Sequence, residues 1–198
     1  MAFDDSFFSK SVLTQSFSYE KIPWNKKMEN HQIVLGLGSN RSFLFAGNIL
    51  EPHAILEKAI SELGKILGKI RCASFYETEP IPKSSQKNFI NTAAAGFFSG
   101  SPEELLGLIH ETEAMFGRDR STEIRWGERS LDIDILLFGN VVLSAPDLVI
   151  PHPRLEERRF ALEPLLELWP QARSPVNGIS YRAICDVLPD QGVKKISC

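Results

Sequence analysis

Apolar and polar positions change period several times along this chain, and each change marks an element. His31–Leu37 is apolar and β-branched, then breaks at Gly38-Ser39-Asn40, so it reads as a strand running into a turn. Ile55, Ala59, Leu63 and Ile66 recur at helical spacing over 52–67, with Gly68 as the stop. A second strand is predicted over 70–78, ending in Glu79-Pro80-Ile81-Pro82, and residues 81–88 read as a polar loop. Residues 89–98 form a third strand, in which Ala93, Ala94 and Ala95 leave room for a close neighbour. Ser101-Pro102-Glu103-Glu104 is a strong helix start: Ser at the N-cap, Pro at the first helical position and Glu at the third. Leu105, Ile109 and Phe116 share one face of that helix, and Gly117 ends it. A fourth strand covers 131–138, and Gly139-Asn140 is a tight turn into a short strand at 141–143. Short helices are expected over 161–168 and 180–188.

The order β-α-β-β-α-β over 31–138 predicts an α+β fold, a ferredoxin-like βαββαβ sandwich with an extra C-terminal strand and short helices. Residues 1–30 differ. They are rich in Ser, Phe and Lys and follow no clean period, so they read as a loosely held N-terminal extension before one domain at 31–198. Met28 stands just ahead of the first strand, and a start there would still make a complete domain.

Bulk properties narrow the function classes. The chain has 198 residues, 43% apolar and 24% charged, with net charge −3. No global field recruits nucleic acid or an anionic membrane, so any anion site must be local. Between Lys87 and Lys194 every permanent positive charge is arginine. Arginine offers a planar bidentate fork that lysine lacks. Cys72, Cys185 and Cys198 are an odd number without paired spacing, which argues against a disulfide framework or a zinc site. A reducing, cytoplasmic setting follows as the default. No apolar run reaches spanning length, and Asp4 and Asp5 stand where a signal peptide would be basic. The expected partners are small molecules, handled by a monomer, with neither nucleic acid nor membrane.

The richest stretch is GRDRSTEIRWGERSLDIDIL, which begins at Gly117. Arg118, Arg120, Arg125 and Arg129 precede a strand carrying Asp132 and Asp134. Carboxylates two apart on a strand share a face, where a hard divalent cation can bridge them to phosphates. Forked cations beside a metal clamp suit a polyphosphate, and so Mg-dependent phosphoryl or nucleotidyl transfer. The plainer readings are a solvated loop, its arginines paired with Asp119, Glu123 and Glu128, and an edge strand with a wet acidic face. Exposed pairs are worth only ~0.2–1 kcal/mol and do not explain arginine over lysine. Trp126, a large aromatic in that polar loop, suits a lid. Pro151-His152-Pro153, with Arg154, Arg158, Arg159 and Phe160 close behind, reads as a second anion-contact cluster. Asn91 is unusual in mid-strand and suits a ligand with both donors and acceptors. Gly36-Leu37-Gly38-Ser39-Asn40 lacks the last glycine of a dinucleotide fingerprint, with Arg41 in its place, and reads as a strand-end turn.

Together, GLGSN (36–40), FYETEPI (75–81), QKNFIN (86–91), GRDR (117–120), RWGERSLDIDILLFG (125–139) and IPHPRLEERRFALEPLLE (150–167) resemble the 6-hydroxymethyl-7,8-dihydropterin pyrophosphokinase family of folate synthesis. The resemblance covers about residues 33–170 as several independent motifs in order. It implies a ferredoxin-like fold and transfer of pyrophosphate from ATP to the pterin hydroxymethyl oxygen, with two Mg2+ ions and release of AMP. By resemblance, Asp132 and Asp134 hold the metals, and Arg118 and Arg129 stabilise charge on the transferring group. Glu113, Arg118, Arg120, Arg125, Arg129, Ile135, His152 and Arg158 match ATP-site positions. Phe89 and Phe160 would sandwich the pterin and Asn91 would read its edge. Thr78, Pro80 and Ile81 would add contacts there, and Trp126 would close over them. Two alternatives stand beside this one. A ferredoxin-like binding module for RNA or a small molecule lacks the RNA-recognition strand signature and positive charge. A Mg-dependent nucleotidyl or sugar transferase would differ in its products.

Overall fold

The computed structural model describes residues 30–80, 85–119 and 127–196. In chain order the elements are β1 (His31–Ser39), β2 (Phe43–Phe45), β3 (Asn48–Leu50), α1 (Pro52–Leu63), β4 (Gly68–Cys72), β5 (Phe75–Thr78) and β6 (Phe89–Phe98). Then follow α2 (Pro102–Met115), β7 (Asp132–Phe138), β8 (Leu143–Ala145), β9 (Leu148–Ile150), a 3-10 turn (Leu155–Glu157), α3 (Arg159–Leu168), α4 (Tyr181–Val187) and β10 (Lys194–Ile196). It is an α+β structure built on an antiparallel sheet of order β10-β5-β6-β1-β7, with β4 also on β6.

One face of the sheet carries α1 and α2. Ile55, Leu56, Ala59 and Leu63 of α1 and Leu105 and Ile109 of α2 pack against Ile33, Leu35, Leu37, Ile133 and Ile135. The start of α2 is as predicted: the Ser101 hydroxyl accepts from the Glu104 N–H at 3.2 Å, and the Glu104 carboxylate accepts from the Ser101 N–H at 2.6 Å. Each half of that box satisfies a backbone donor at the helix start. The other face is only partly covered. Leu162, Leu165 and Leu166 of α3 and Tyr181 of α4 pack on Val34, Ala93, Ala95, Leu136 and Leu137. The small Ala93 and Ala95 let α3 approach closely; the rest of this face stays open.

Three expectations change. The strand predicted over 70–78 is two strands, broken at Ala73-Ser74. There Thr92 Oγ1 donates to the carbonyls of Ala73 (3.2 Å) and Ser74 (3.1 Å), and the Glu167 carboxylate takes the Ser74 N–H at 2.8 Å. The Ala73 N–H still reaches the Ala93 carbonyl at 2.9 Å, but side chains take up the other backbone groups of the bend, a contribution that apolar periodicity does not register. The short strand expected at 141–143 lies instead over 143–145, in a separate hairpin with β9. The fourth strand, read as a plain strand over 131–138, also breaks its even alternation. Val34 pairs with Leu137 and Leu35 with Ile135, so Leu136 is the extra residue of a bulge. Leu136 and Leu137 therefore both face α3, and Phe138 returns to the α1–α2 side.

Among the described residues no helix is long and apolar enough to cross a membrane. Cys72 is exposed and Cys185 buried, and neither is in a disulfide among the described residues.

Candidate active site

The uncovered part of the second sheet face is the floor of a cavity of about 470 Å3. Gly36 and Gly38 of β1, Asn91 of β6, and Asp132 and Asp134 of β7 line it, with Thr78, Phe89, His152, Arg158 and Phe160 around them. Strand alternation explains the floor. Gly38 pairs across the sheet with Asn91 on one side and Asp132 on the other, and Gly36 pairs with Asp134. The glycines between these polar side chains keep the floor low. A Cβ on Gly38 would come 3.0 Å from Asn91 Oδ1, and one on Gly36 would meet Leu136 at 3.2 Å.

Asp132 joins two arginines. Arg118 Nη1 donates to its Oδ1, and Arg129 Nη1 to its Oδ2 at 2.7 Å. Burial opposes the charge of Asp132, but the two guanidinium groups more than offset it and hold its carboxyl below the usual carboxylate range. Arg118 also donates to Glu113, and Glu113 Oε1 accepts the Ile133 N–H at 2.8 Å. Glu113 is 1% exposed, so it braces Arg118 and β7 from behind. It does not line the cavity. Arg129 is held by its main chain: Asn40 Oδ1 accepts the Arg129 N–H at 2.7 Å, and the N–H groups of Asn40 and Arg41 donate to the Arg129 carbonyl at 3.0 and 3.1 Å.

Asp134 behaves differently. Its surroundings and the neighbouring Asp132 charge push its carboxyl up to about 6, against the pull of Arg158. His152 lies near it, Nε2 at 3.6 Å from Oδ2, and Arg158 Nη1 is at 3.9 Å. Burial and the Arg158 and Arg154 charges push His152 down to about 4, so its ring is neutral at neutral pH. Nδ1 accepts the Arg154 N–H at 3.2 Å, which leaves the ring proton on Nε2, facing Asp134. A carboxylate raised in this way is short of positive charge. Asp132 and Asp134 offer hard oxygens on one face, and no group of three or more His, Cys, Asp or Glu side chains gathers among the described residues. That partial shell fits Mg2+, which keeps several positions for water and phosphate oxygens.

At the other end, Asn91 Nδ2 donates to Thr78 Oγ1 at 2.8 Å, which leaves its Oδ1 toward the floor above Gly38. Phe89 and Phe160 are both wall residues, and the Arg158 guanidinium lies 5.4 Å from the Phe160 ring centre. Pro80 is buried beyond Thr78.

Most predicted residues thus converge: Arg129, Asp132, Asp134, His152, Arg158, Thr78, Phe89, Asn91 and Phe160 line one cavity, with Arg118 bonded to Asp132 at its edge. Ile135 does not; it lies in the helix-side core. Arg159, expected in an anion cluster, turns away to Glu163 and to the carbonyls of Cys185 and Leu188. Ile81, Arg120, Arg125 and Trp126 lie outside the described residues. Sequence reading did not assign Asn40, Gly36, Gly38, Glu157 or Gln191 to the site. The first three stand in the GLGSN turn and Glu157 in the 150–167 segment, so a signal was present for these four; Gln191 carried none.

Residues 34–170 match the family model described as 7,8-dihydro-6-hydroxymethylpterin-pyrophosphokinase. A pyrophosphokinase of Bacillus subtilis for 2-amino-4-hydroxy-6-hydroxymethyldihydropteridine is 37% identical over 136 residues, covering 67% of this chain and 80% of that one. Its Pseudomonas aeruginosa counterpart is 31% identical, covering 83% and 96%. The mitochondrial folate synthesis bifunctional protein of Arabidopsis thaliana is 36% identical, but this chain spans only 23% of it. Among solved structures, the wild-type Plasmodium falciparum HPPK-DHPS crystal structure with pteroate superposes with a TM-score of 0.65 at 16% identity. It covers 86% of this chain and 48% of that one, a likeness of fold. With its motifs gathered around one cavity and the family model spanning most of its length, the chain belongs to the 7,8-dihydro-6-hydroxymethylpterin-pyrophosphokinase family.

Proposed function

We infer that this chain transfers pyrophosphate from ATP to the hydroxymethyl group of 6-hydroxymethyl-7,8-dihydropterin, releasing AMP, in folate biosynthesis. One observation carries the reading: the aspartate pair, with its arginines, shares a cavity with the Asn91–Phe89–Phe160 group. A flat heterocycle with an amide-like edge fits between the aromatic walls over Asn91. A triphosphate lying over Asp132, Asp134 and Arg129 then brings its β-phosphorus toward the hydroxymethyl oxygen. The new bond joins that oxygen to the β-phosphorus as its O–H bond breaks and the proton passes to solvent. The bond from the β-phosphorus to the oxygen bridging it to the α-phosphorus breaks, and AMP leaves with that oxygen.

Two Mg2+ ions held by Asp132 and Asp134 would neutralise phosphate oxygens and fix their in-line arrangement. Arg118 and Arg129 are already braced, by Glu113 and by Asn40, so they meet growing negative charge with little reorganisation. His152 and Arg158 face the phosphate side, and Phe160 stacks under the pterin. By the family resemblance, Arg120 and Arg125 belong with the ATP contacts and Ile81 and Trp126 with the pterin contacts. Thr78 holds Asn91 in register, and Pro80 stiffens the strand end behind it. No strong general base is required where positioning dominates.

Residues 31–198 form the catalytic domain in this reading, with 1–30 an appendage; the family match beginning at residue 34 supports that boundary. The sheet order β5-β6-β1-β7, with α1 and α2 on one face, supports the ferredoxin-like description. The chain is read as a monomer that acts on small molecules. Cys72 and Cys185 outside any disulfide suit a reducing cytoplasm. The test is product identity: with ATP, Mg2+ and the pterin alcohol, AMP is the nucleotide released. ADP as the sole nucleotide product rejects the reading.

A further inference from the structure

The family match ends at residue 170, yet part of the cavity wall comes from beyond it: Gln191 lines the cavity beside Phe160 and Arg158. Its contacts are specific. Gln191 Oε1 accepts the backbone N–H of Arg159 at 2.9 Å, and Nε2 donates to the Glu157 carbonyl at 2.8 Å. Arg159 is held a second time by its own side chain, which donates to the carbonyls of Cys185 (3.2 Å) and Leu188 (3.0 Å). The end of α4 and the segment after it therefore grip residue 159 by main chain and guanidinium together. The residues on either side of it, Arg158 and Phe160, both face the cavity.

Helix α3 has no side-chain cap of its own; the extended Arg158 stands at its N-cap without one. A first-turn N–H left without a partner is a weak point in a helix. Gln191 fills that role from 32 residues further along the chain.

We propose that Gln191 is a positioning residue for the aromatic substrate, its carboxamide locking the 3-10 turn to the first turn of α3 and so fixing the Phe160 ring and Arg158 guanidinium over the cavity. The proposal rests on the reading of the site given above. The bland alternative is that Gln191 merely ties down the tail. Lys195 separates the two. It anchors the same tail to Glu167 and to β5, and it is not among the residues lining the cavity.

The experiment titrates 6-hydroxymethylpterin, followed by its own fluorescence, into full-length protein saturated with Mg2+ and an α,β-methylene ATP analogue. Steady-state kinetics run in parallel. Gln191→Ala should weaken pterin binding about three- to tenfold, the scale of losing one or two hydrogen bonds. KM for the pterin should rise in proportion, with kcat within about a factor of two. Lys195→Ala should bind as the wild type does. Wild-type affinity in Gln191→Ala, or an equal loss in Lys195→Ala, overturns the proposal. If Gln191→Ala does not fold, Gln191→Glu takes its place. It keeps the acceptor for Arg159 but sets an anion against the Glu157 carbonyl, so it should also bind weakly; wild-type affinity there overturns the proposal equally. A wild-type protein that does not bind the pterin rejects the functional reading instead.

Discussion

Asn40 clasps Arg129 by its main chain on both sides: its carboxamide oxygen takes the Arg129 N–H at 2.7 Å, and its own N–H donates to the Arg129 carbonyl at 3.0 Å. Its Nδ2 reaches the Lys87 carbonyl at 3.3 Å, so the turn after β1 ties the segment before β7 to the segment before β6. Asn40 is fully buried. Asn40→Ala should cost about 1–3 kcal/mol of stability, because buried groups lose their partners. It should also lower kcat about tenfold through a displaced Arg129. Urea melts and steady-state kinetics read the two effects. A stability loss with unchanged kcat would break the link to Arg129.

Arg118 is 6% exposed on its side chain and bridges Glu113, 1% exposed, to Asp132. A lysine keeps the charge but cannot fork between two carboxylates. Arg118→Lys should lower kcat about a hundred- to a thousandfold, as losing a preorganised donor does. It should also destabilise the fold by about 2–4 kcal/mol, because Glu113 is left buried with a poorer partner. Activity within a few-fold of wild type would remove Arg118 from the transition-state clamp.

Gly38 lies between the Asn91 and Asp132 positions, and a Cβ there would stand 3.0 Å from Asn91 Oδ1. Gly38→Ala should push the Asn91 amide off its 2.8 Å bond to Thr78. The expected outcome is a rise in KM for the pterin of about tenfold with KM for ATP nearly unchanged, the cost of one displaced polar contact. An effect confined to ATP would place the heterocycle elsewhere.

The carboxyl of Asp134 titrates near 6 with no cation bound. The sign follows from the direction of the shift. A folded-state value above the unfolded one means that the protonated form favours the fold. That contribution is complete below the unfolded value and is lost as pH rises through about 6. A cation needs the opposite, ionised form, so Mg2+ should raise Tm clearly at pH 7.5 and little at pH 5. Turnover should fall as pH drops through about 6, and higher Mg2+ should move that fall to lower pH. A pH profile indifferent to Mg2+ would contradict the role of Asp134. Asp134→Ala should abolish turnover in a protein that still melts cooperatively.

Local chemistry made much of this molecule legible from its residues alone. The capping box at Ser101–Glu104, the apolar repeats of α1 and α2, and the strand at 89–98 depend on neighbours within a turn or two. The aspartate pair was legible for the same reason, since residues two apart on a strand share a face whatever surrounds them. Tertiary structure decided what rests on distant partners. The bulge at Leu136 exists because β7 must match β1 on one side while Leu136 and Leu137 both turn toward α3. Glu113 braces Arg118 from inside, Arg159 turns to α4, and Gln191 reaches back to α3, each through contacts between segments far apart in the chain. Periodicity records which face of an element is apolar. Which buried polar group meets which partner is settled only when the sheet and helices close together, because each such group needs its hydrogen bonds satisfied at that moment.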